Sequence, residues 1–232
     1  MGGGFGIYIL ITLVFGGIGG LVSSRLKSKF KHYSQVPMTS NMSGAEVAQR
    51  MLEHHHIRDV KIVMGKGMLT DHYNPRTKTV SLSPDVFQGR SVAAAAVAAH
   101  ECGHAIQHDT AYIWLQARSA IVPVVNLAAK AQQFLLYFAL GGLGATGSPV
   151  ILMITIAAFC ITALFSLITL PVEFDASNRA LAWLESSGTT RGEKHEGAKD
   201  ALWWAAMTYV VAAIGSFATA LYLVMILLNR QR

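Results

Sequence analysis

The sequence predicts a mainly α-helical membrane protein, with about four transmembrane helices and one small α+β portion. Of its 232 residues, 52% are hydrophobic and 14% are charged, and the mean hydropathy is +0.39. A soluble domain usually carries about a quarter charged residues. The deficit is concentrated in long apolar runs, while one polar segment, 33–118, interrupts them. This combination is typical of an integral membrane protein with a sizeable extramembrane portion.

The basic character of the chain does not indicate a nucleic-acid partner. The formal net charge is +6, but no basic run is interleaved with aromatic residues in the way that single-strand binders need. Membrane proteins collect Lys and Arg at their cytoplasmic flanks, and that is the interpretation we favour. The two cysteines, Cys102 and Cys160, are too few and too differently placed for a disulfide framework, so we expect both to be reduced.

The first predicted membrane span is the uncharged run 5–22, which is just long enough to cross a bilayer. No Lys or Arg precedes it, whereas a cleavable signal peptide would usually have a basic start, so we predict an uncleaved anchor. A basic cluster follows at once and places the downstream side in the cytoplasm. Its members are Arg25, Lys27, Lys29 and Lys31.

The polar segment 33–118 combines helical and strand patterns. Ser43 and Glu46 form a capping-box pattern that predicts a helix to about His56. The elements that follow in order are a strand over 60–64, a turn-rich stretch over 69–76, a strand over 77–83 and a helix over 91–108 capped by Ser91.

Three further spans are predicted after this segment, over 119–141, 149–170 and 203–228. The connector GGLGATGSP separates the first two, and Pro171 is expected to end the second. A polar helix and loop then cover 172–200. With four spans, 16 of the 19 Lys and Arg residues fall on one side of the membrane, which predicts that side to be cytoplasmic.

The stretch AAHECGHAIQHD contains an HExxH motif formed by His100, Glu101 and His104. Residues four apart lie on one face of a helix, so both imidazoles can converge on one zinc ion. The glutamate beside the first histidine is then placed to take a proton from a water molecule at the metal. The alternative is a buried helix with incidental histidines.

His108 resembles a further ligand, but its spacing argues against that role. It lies eight residues beyond His100, about 12 Å along a helix axis, and Zn–N bonds are only about 2.0–2.1 Å. No glycine turn follows to fold the chain back, as it does in HExxHxxGxxH. We therefore expect His108 to be a solvated residue at the helix end.

The best downstream candidate for a third ligand is Glu173. Two intervening spans return the chain to the side of the two histidines, and Glu173 would lie in a first helical turn just outside the membrane. Asp175 is the rival, although its offset to Arg179 suits an i,i+4 ion pair. The other interpretation of Glu173 is an acidic residue favoured by the helix dipole.

Three stretches, AAHECGHAIQHD, LTDHYNPRTKTVSLSPDVF and PVEFDASNRAL, together resemble the bacterial YugP-type neutral zinc metallopeptidases. The resemblance extends over most of the chain. That family consists of membrane zinc peptidases and is distantly similar to HtpX and the type 1 CAAX prenyl proteases, in which a downstream glutamate joins HExxH.

The resemblance implies a zincin-like catalytic portion in a multi-pass protein of the bacterial cell membrane, working as a gluzincin-like zinc metalloendopeptidase on a protein or peptide substrate. It implies His100, His104 and Glu173 as ligands of Zn²⁺ and Glu101 as general base. The HtpX-like group often has ExxxD after the second span, but position 177 is Ser here. The role of that aspartate is therefore missing or reassigned, with Asp175 as the candidate.

The predicted chemistry is zinc-assisted hydrolysis of a peptide bond at the cytoplasmic side or at the membrane surface. A second oxyanion donor is needed, and the sequence leaves four candidates open, namely Tyr209, His195, Arg179 and His72. The strand 77–83 is either a substrate-binding strand or an ordinary core strand. A membrane partner or an oligomer stays open as well.

Other functions agree less well with the same residues. The absence of an Asp-Gly dipeptide disfavours a site-2-type intramembrane protease. A metal transporter needs ionisable residues inside its spans, where only Lys130 qualifies. The triple histidine 54–56 suits a solvated cluster better than metal transfer. The main alternative is a non-catalytic zinc-binding membrane protein, such as a sensor or assembly factor, which would not need Glu101.

Overall fold

The computed structural model describes residues 3–139 and 149–230, which are mainly helical. The helices are α1 (Gly3–Tyr33), α2 (Gly44–His54), α3 (Pro84–Phe87), α4 (Val92–Asp109), α5 (Ile113–Ala139), α6 (Pro149–Ser186) and α7 (Glu193–Arg230). The strands are β1 (Lys61–Met64), β2 (His72–Asn74) and β3 (Thr79–Leu82).

The chain divides into two compact units. The first unit comprises the described residues of Met1–Leu21, Ala117–Leu170 and Thr208–Arg232, and the second comprises Val22–Gln116 and Pro171–Met207. The HExxH helix α4 and the part of α6 that follows Leu170 therefore belong to the same unit.

Helix α4 lies in the core of the second unit and packs against α2. The buried residues of α2 recur at helical spacing on one face, as Val47, Ala48, Met51 and Leu52. The predicted capping box at Ser43 is confirmed, and Ser91 caps α4 by accepting a hydrogen bond of 3.2 Å from the backbone of Ala94. Each such cap contributes about 1 kcal/mol.

The sheet of the second unit has the order β1-β3-β2, with β1 parallel and β2 antiparallel to β3. The sequence did not predict β2, because it is only three residues long and lies within the turn-rich stretch 69–76. Strand β3, within the predicted strand 77–83, is paired on both sides. Both edges of β3 are therefore hydrogen-bonded to β1 and β2. The interpretation of this strand as one that binds substrate by adding a strand to the sheet is wrong.

Three helices among the described residues are long and apolar enough to cross a membrane. They are Gly6–Tyr33, Val150–Ser186 and Glu193–Asn229, and the predicted spans 5–22, 149–170 and 203–228 fall largely within them. The predicted span 119–141 falls mostly on α5 and ends outside the described residues. The count of four spans therefore stays a prediction. Most of the connector GGLGATGSP also lies outside the described residues.

Pro171 does not end a helix, contrary to expectation, and α6 runs through it to Ser186. A proline inside a helix removes the hydrogen bond that its N–H would donate to the carbonyl four residues earlier, here that of Leu167. Such a loss is tolerated in membrane helices when neighbouring groups compensate. The predicted polar helix after Pro171 is thus the continuation of α6, and the change in hydropathy marks the end of the apolar run only.

Candidate metal centre

The side chains of His100 and His104 lie on one face of α4, one turn apart, as the spacing predicts. Their ring centroids are 4.7 Å apart and their planes are inclined by 83°. His104 is buried and His100 is nearly so. A catalytic zinc needs three protein ligands, so two convergent imidazoles would require a third ligand from another element.

Helix α6 supplies a carboxylate beside the two histidines because Gly103 lets it approach α4 closely. A Cβ atom at Gly103 would lie 2.5 Å from the carbonyl oxygen of Ala176 and 3.0 Å from its Cα. Only a residue without a side chain fits at this crossing of the two backbones. The close approach places Glu173, one turn before Ala176, beside both histidines.

The distances at Glu173 agree with a tetrahedral zinc site. Its Oε2 lies 3.3 Å from His100 Nε2 and 3.7 Å from His104 Nε2, and one ligand atom from each of the three residues lies within 4.8 Å of the others. Two ligand atoms that are each bonded to a tetrahedral zinc ion are about 3.4 Å apart. The donor set of two imidazoles and one carboxylate therefore fits Zn²⁺.

The Nδ1 atoms of both imidazoles have polar partners, and both Nε2 atoms face Glu173. His100 Nδ1 lies 3.1 Å from Ser177 Oγ, and His104 Nδ1 lies 3.0 Å from Gln107 Oε1. Such partners orient metal-binding histidines and select their tautomer. Ser177, the position that departs from the ExxxD pattern, thus contacts His100 directly. Asp175 instead accepts a hydrogen bond from Gln107.

The electrostatics around His104 favour a cation between these groups. Burial lowers the pKa of His104, but its hydrogen bond to Glu173 and the charges of Glu173 and Glu101 outweigh burial, so that the net pKa is raised. The carboxylates therefore stabilise positive charge at this place in the absence of metal. Glu101 itself is 8% exposed and adjoins His100 on α4.

The other predicted residues take up structural contacts. Asp175 forms the expected i,i+4 ion pair with Arg179, at 2.6 Å, and is not among the three convergent candidate ligands. His108 is exposed, and its Nδ1 lies 2.9 Å from the hydroxyl of Tyr73. Among the described residues, the sole cluster of three or more candidate metal ligands is His100, His104 and Glu173, so the triple histidine 54–56 forms none.

Three of the four candidates for an oxyanion donor make contacts with residues other than His100, His104 and Glu173. His72 Nδ1 contacts the carbonyl of Thr70 at 2.8 Å, and His195 Nδ1 contacts the hydroxyl of Thr190 at 3.2 Å. Arg179, besides its ion pair, lies 5.8 Å from the ring centroid of Tyr112. Tyr209 belongs to the first unit.

The sequence did not single out Gly103 or Gln107 as residues of the site, and it marked position 177 only as a departure from the ExxxD pattern. For Gly103 a signal existed. A glycine inside a helix lowers stability by roughly 1 kcal/mol relative to alanine, so its presence in an Ala-rich helix indicates a packing reason. Gln107 is three residues after His104, a spacing that places two side chains on one helix face. The departure at position 177 was the signal for Ser177, but its contact with His100 could not be read from the sequence because the two residues lie on different helices.

We expect Gly103→Ala to destabilise the second unit and to weaken metal binding. The new methyl group would overlap the backbone of Ala176, and overpacking of this kind costs about 1–3 kcal/mol. Thermal unfolding and zinc content of the purified variant provide the measurement. Gly20→Ala is the matched control, since no atom lies within 4 Å of a Cβ at that helical glycine. A Gly103→Ala variant with the stability and zinc content of the parent would contradict the close packing.

Cys102 lies within HExxH but is fully buried, and its thiol contacts the carbonyl of Ala48 at 3.5 Å. Burial raises the pKa of Cys102, so the thiol stays protonated. We expect a Cys160→Ser variant, in which Cys102 is the remaining cysteine, to react with a maleimide only after unfolding. Rapid labelling of the native variant would show that this part of α4 opens.

Comparison with known proteins identifies the family. A model described as "Putative neutral zinc metallopeptidase" matches residues 7–228. The chain belongs to this family. Membership implies Zn²⁺ as the metal, in agreement with the donor set of His100, His104 and Glu173.

A curated relative supports the same assignment. The chain is similar to a Bacillus subtilis (strain 168) protein named "Putative membrane protease YugP", with 41% identity over 223 residues, which covers 96% of this chain and 97% of the relative. No solved structure matches the chain. The family and the three apolar helices together indicate a membrane-associated zinc peptidase.

Proposed function

We propose that this chain is a membrane-bound, gluzincin-like zinc metalloendopeptidase in which His100, His104 and Glu173 hold Zn²⁺ and Glu101 is the general base. The convergence of Glu173 Oε2 with the Nε2 atoms of both histidines carries the proposal, because it completes the three ligands that a catalytic zinc needs. Glu101 adds a carboxylate on the same helix at the residue next to His100.

Each residue then has a defined task in hydrolysis. Bound Zn²⁺ supplies a positive charge that polarises the scissile carbonyl and lowers the pKa of a water molecule. Glu101 takes the proton of the attacking water and passes it to the leaving amine, so that a neutral amine departs. Ser177 holds the imidazole of His100 in orientation.

The proposed topology has four spans, with the site at the cytoplasmic side or at the membrane surface of a bacterial cell. The distribution of Lys and Arg supports this orientation, since 16 of 19 fall in 25–118 and 172–200. The substrate is a protein or peptide, the bilayer is the surrounding partner, and association with a membrane partner or a second copy is part of the hypothesis. Chemical labelling of single cysteines introduced at Ser28 and at Ser148 in intact cells would test which side of the membrane each position faces.

The test of the function is cleavage of an unfolded protein, such as casein, by the protein purified in detergent and loaded with zinc. We expect cleavage that stops when a chelator removes the metal and returns when Zn²⁺ is added back. Stoichiometric zinc binding without cleavage of casein or of the protein itself would favour the non-catalytic alternative. Failure to bind zinc at all would overturn the assignment of the ligands.

A further inference from the structure

Gln107 is a fully buried polar residue on α4 with three hydrogen-bond partners. Its Oε1 lies 3.0 Å from His104 Nδ1. Its Nε2 donates to the backbone carbonyl of Val172 at 2.7 Å and to Asp175 Oδ2 at 2.8 Å. Both N–H groups and the carbonyl of this buried amide have a hydrogen-bond partner, and the amide connects the histidine-bearing helix α4 to α6 on both sides of Glu173.

The partners of Gln107 leave one orientation of its amide. Val172 offers a carbonyl oxygen and Asp175 a carboxylate oxygen, and both groups only accept hydrogen bonds, so the NH₂ group must face them. The amide oxygen must then face His104, where it accepts a hydrogen bond from Nδ1–H. A proton on Nδ1 leaves the lone pair of Nε2 directed toward Glu173 Oε2.

Arg179 extends this chain of contacts. Its Nε donates to the same Oδ2 of Asp175 at 2.6 Å, which holds the carboxylate where Gln107 meets it. The series runs from Arg179 through Asp175 and Gln107 to His104, and every link is a direct contact. Asp175, considered above as a rival ligand, therefore contacts the candidate metal centre through Gln107 and His104.

We infer that Gln107 is a positioning residue that selects the metal-binding tautomer of His104 and ties it to the α6 segment carrying Glu173, with Asp175 fixing the amide. The inference rests on the proposed zinc site and adds the element that aligns its two halves. Outer partners of metal-binding histidines typically contribute 10–100-fold in metal affinity, so about that loss is expected when Gln107 is replaced.

The test compares metal binding by the parent, Gln107→Met and Gln132→Met, each purified in detergent and stripped of metal. Competition with a chromophoric chelator measures zinc affinity, and the visible absorption of bound Co²⁺ reports the ligand geometry. Met is close to Gln in length and has no N–H or carbonyl group. We expect roughly 10–100-fold weaker zinc binding and an altered Co²⁺ spectrum in Gln107→Met.

Gln132 is the matched control because it makes a similar bridge without a histidine. Its Nε2 joins α5 to α6 by donating to the carbonyl of Ala158 at 3.3 Å and to the hydroxyl of Thr162 at 2.9 Å. Gln132→Met should lower the unfolding temperature of the metal-free protein without changing zinc affinity or the Co²⁺ spectrum. A purely structural role of Gln107 would make the two variants behave alike.

The outcomes separate this inference from the proposed function. If the parent binds no zinc, the proposed site itself is wrong. If the parent and Gln107→Met bind zinc equally and show the same Co²⁺ spectrum, only the positioning role is overturned. If Gln107→Met does not fold, Asp175→Ala decides, since it removes the acceptor that fixes the amide. Severalfold weaker zinc binding than in Gln132→Met supports the role, and equal binding overturns it.

Discussion

The Glu101→Gln variant is expected to lose casein cleavage by about 10²–10⁴-fold while it keeps its zinc. Gln has the size of Glu and preserves the fold of α4, but an amide cannot take up the proton of the attacking water. Glu101 is not one of the three candidate ligands that converge, so its replacement leaves the donor set intact. Initial rates of cleavage and zinc content, measured on the same preparation, check both parts.

The control for this variant is Glu196→Gln, at a side chain that is 70% exposed on α7. It removes the same charge and should cleave at the parental rate. Equal activity of Glu101→Gln and the parent would exclude Glu101 as the base and would point to a contaminating protease. Loss of zinc together with activity in Glu101→Gln would instead indicate a role in metal binding.

The Glu173→Gln variant is expected to lose zinc itself, and activity with it. The carboxylate is nearly fully buried and lies 3.3 and 3.7 Å from the two imidazole nitrogens, so a neutral amide would replace the charged ligand. The loss in affinity should exceed the 10–100-fold that removal of an outer partner typically costs. Chelator competition with the purified protein provides the measurement.

Glu185→Gln serves as the control on the same helix, because Glu185 is 71% exposed. It should retain the zinc affinity of the parent. Tight zinc binding by Glu173→Gln would mean that the third ligand lies elsewhere. Asp175→Asn, which severs the pairing of Asp175 with Gln107 and Arg179, would then be the next variant to compare.

Local patterns predicted the elements around the site because each of them depends on residues close together in the chain. The capping box of Ser43 and Glu46 begins α2, and the four-residue spacing of His100 and His104 places both rings on one face of α4. The ion pair of Asp175 with Arg179 also follows from helical spacing. The prediction of Glu173 as the third ligand rested on the number of intervening spans and on the family resemblance.

The misjudged elements are those where a local signal is ambiguous. A proline usually ends a helix, yet α6 continues through Pro171, and hydropathy alone cannot tell the end of an apolar run from the end of a helix. Strand β2 is too short to produce an alternating pattern. The role of strand 77–83 was open because pairing on both sides of β3 depends on strands that are distant or unrecognised in sequence.

The sequence by itself determined the membrane character and the helix that carries HExxH, because apolar runs and helical spacing are properties of contiguous residues. Only the tertiary structure decided which groups complete and orient the site. Gly103 meets Ala176, Ser177 meets His100, and Gln107 reaches Val172 and Asp175, all across the contact between α4 and α6. About 70 residues separate these partners, and their meeting depends on the packing of two helices, which no local pattern encodes.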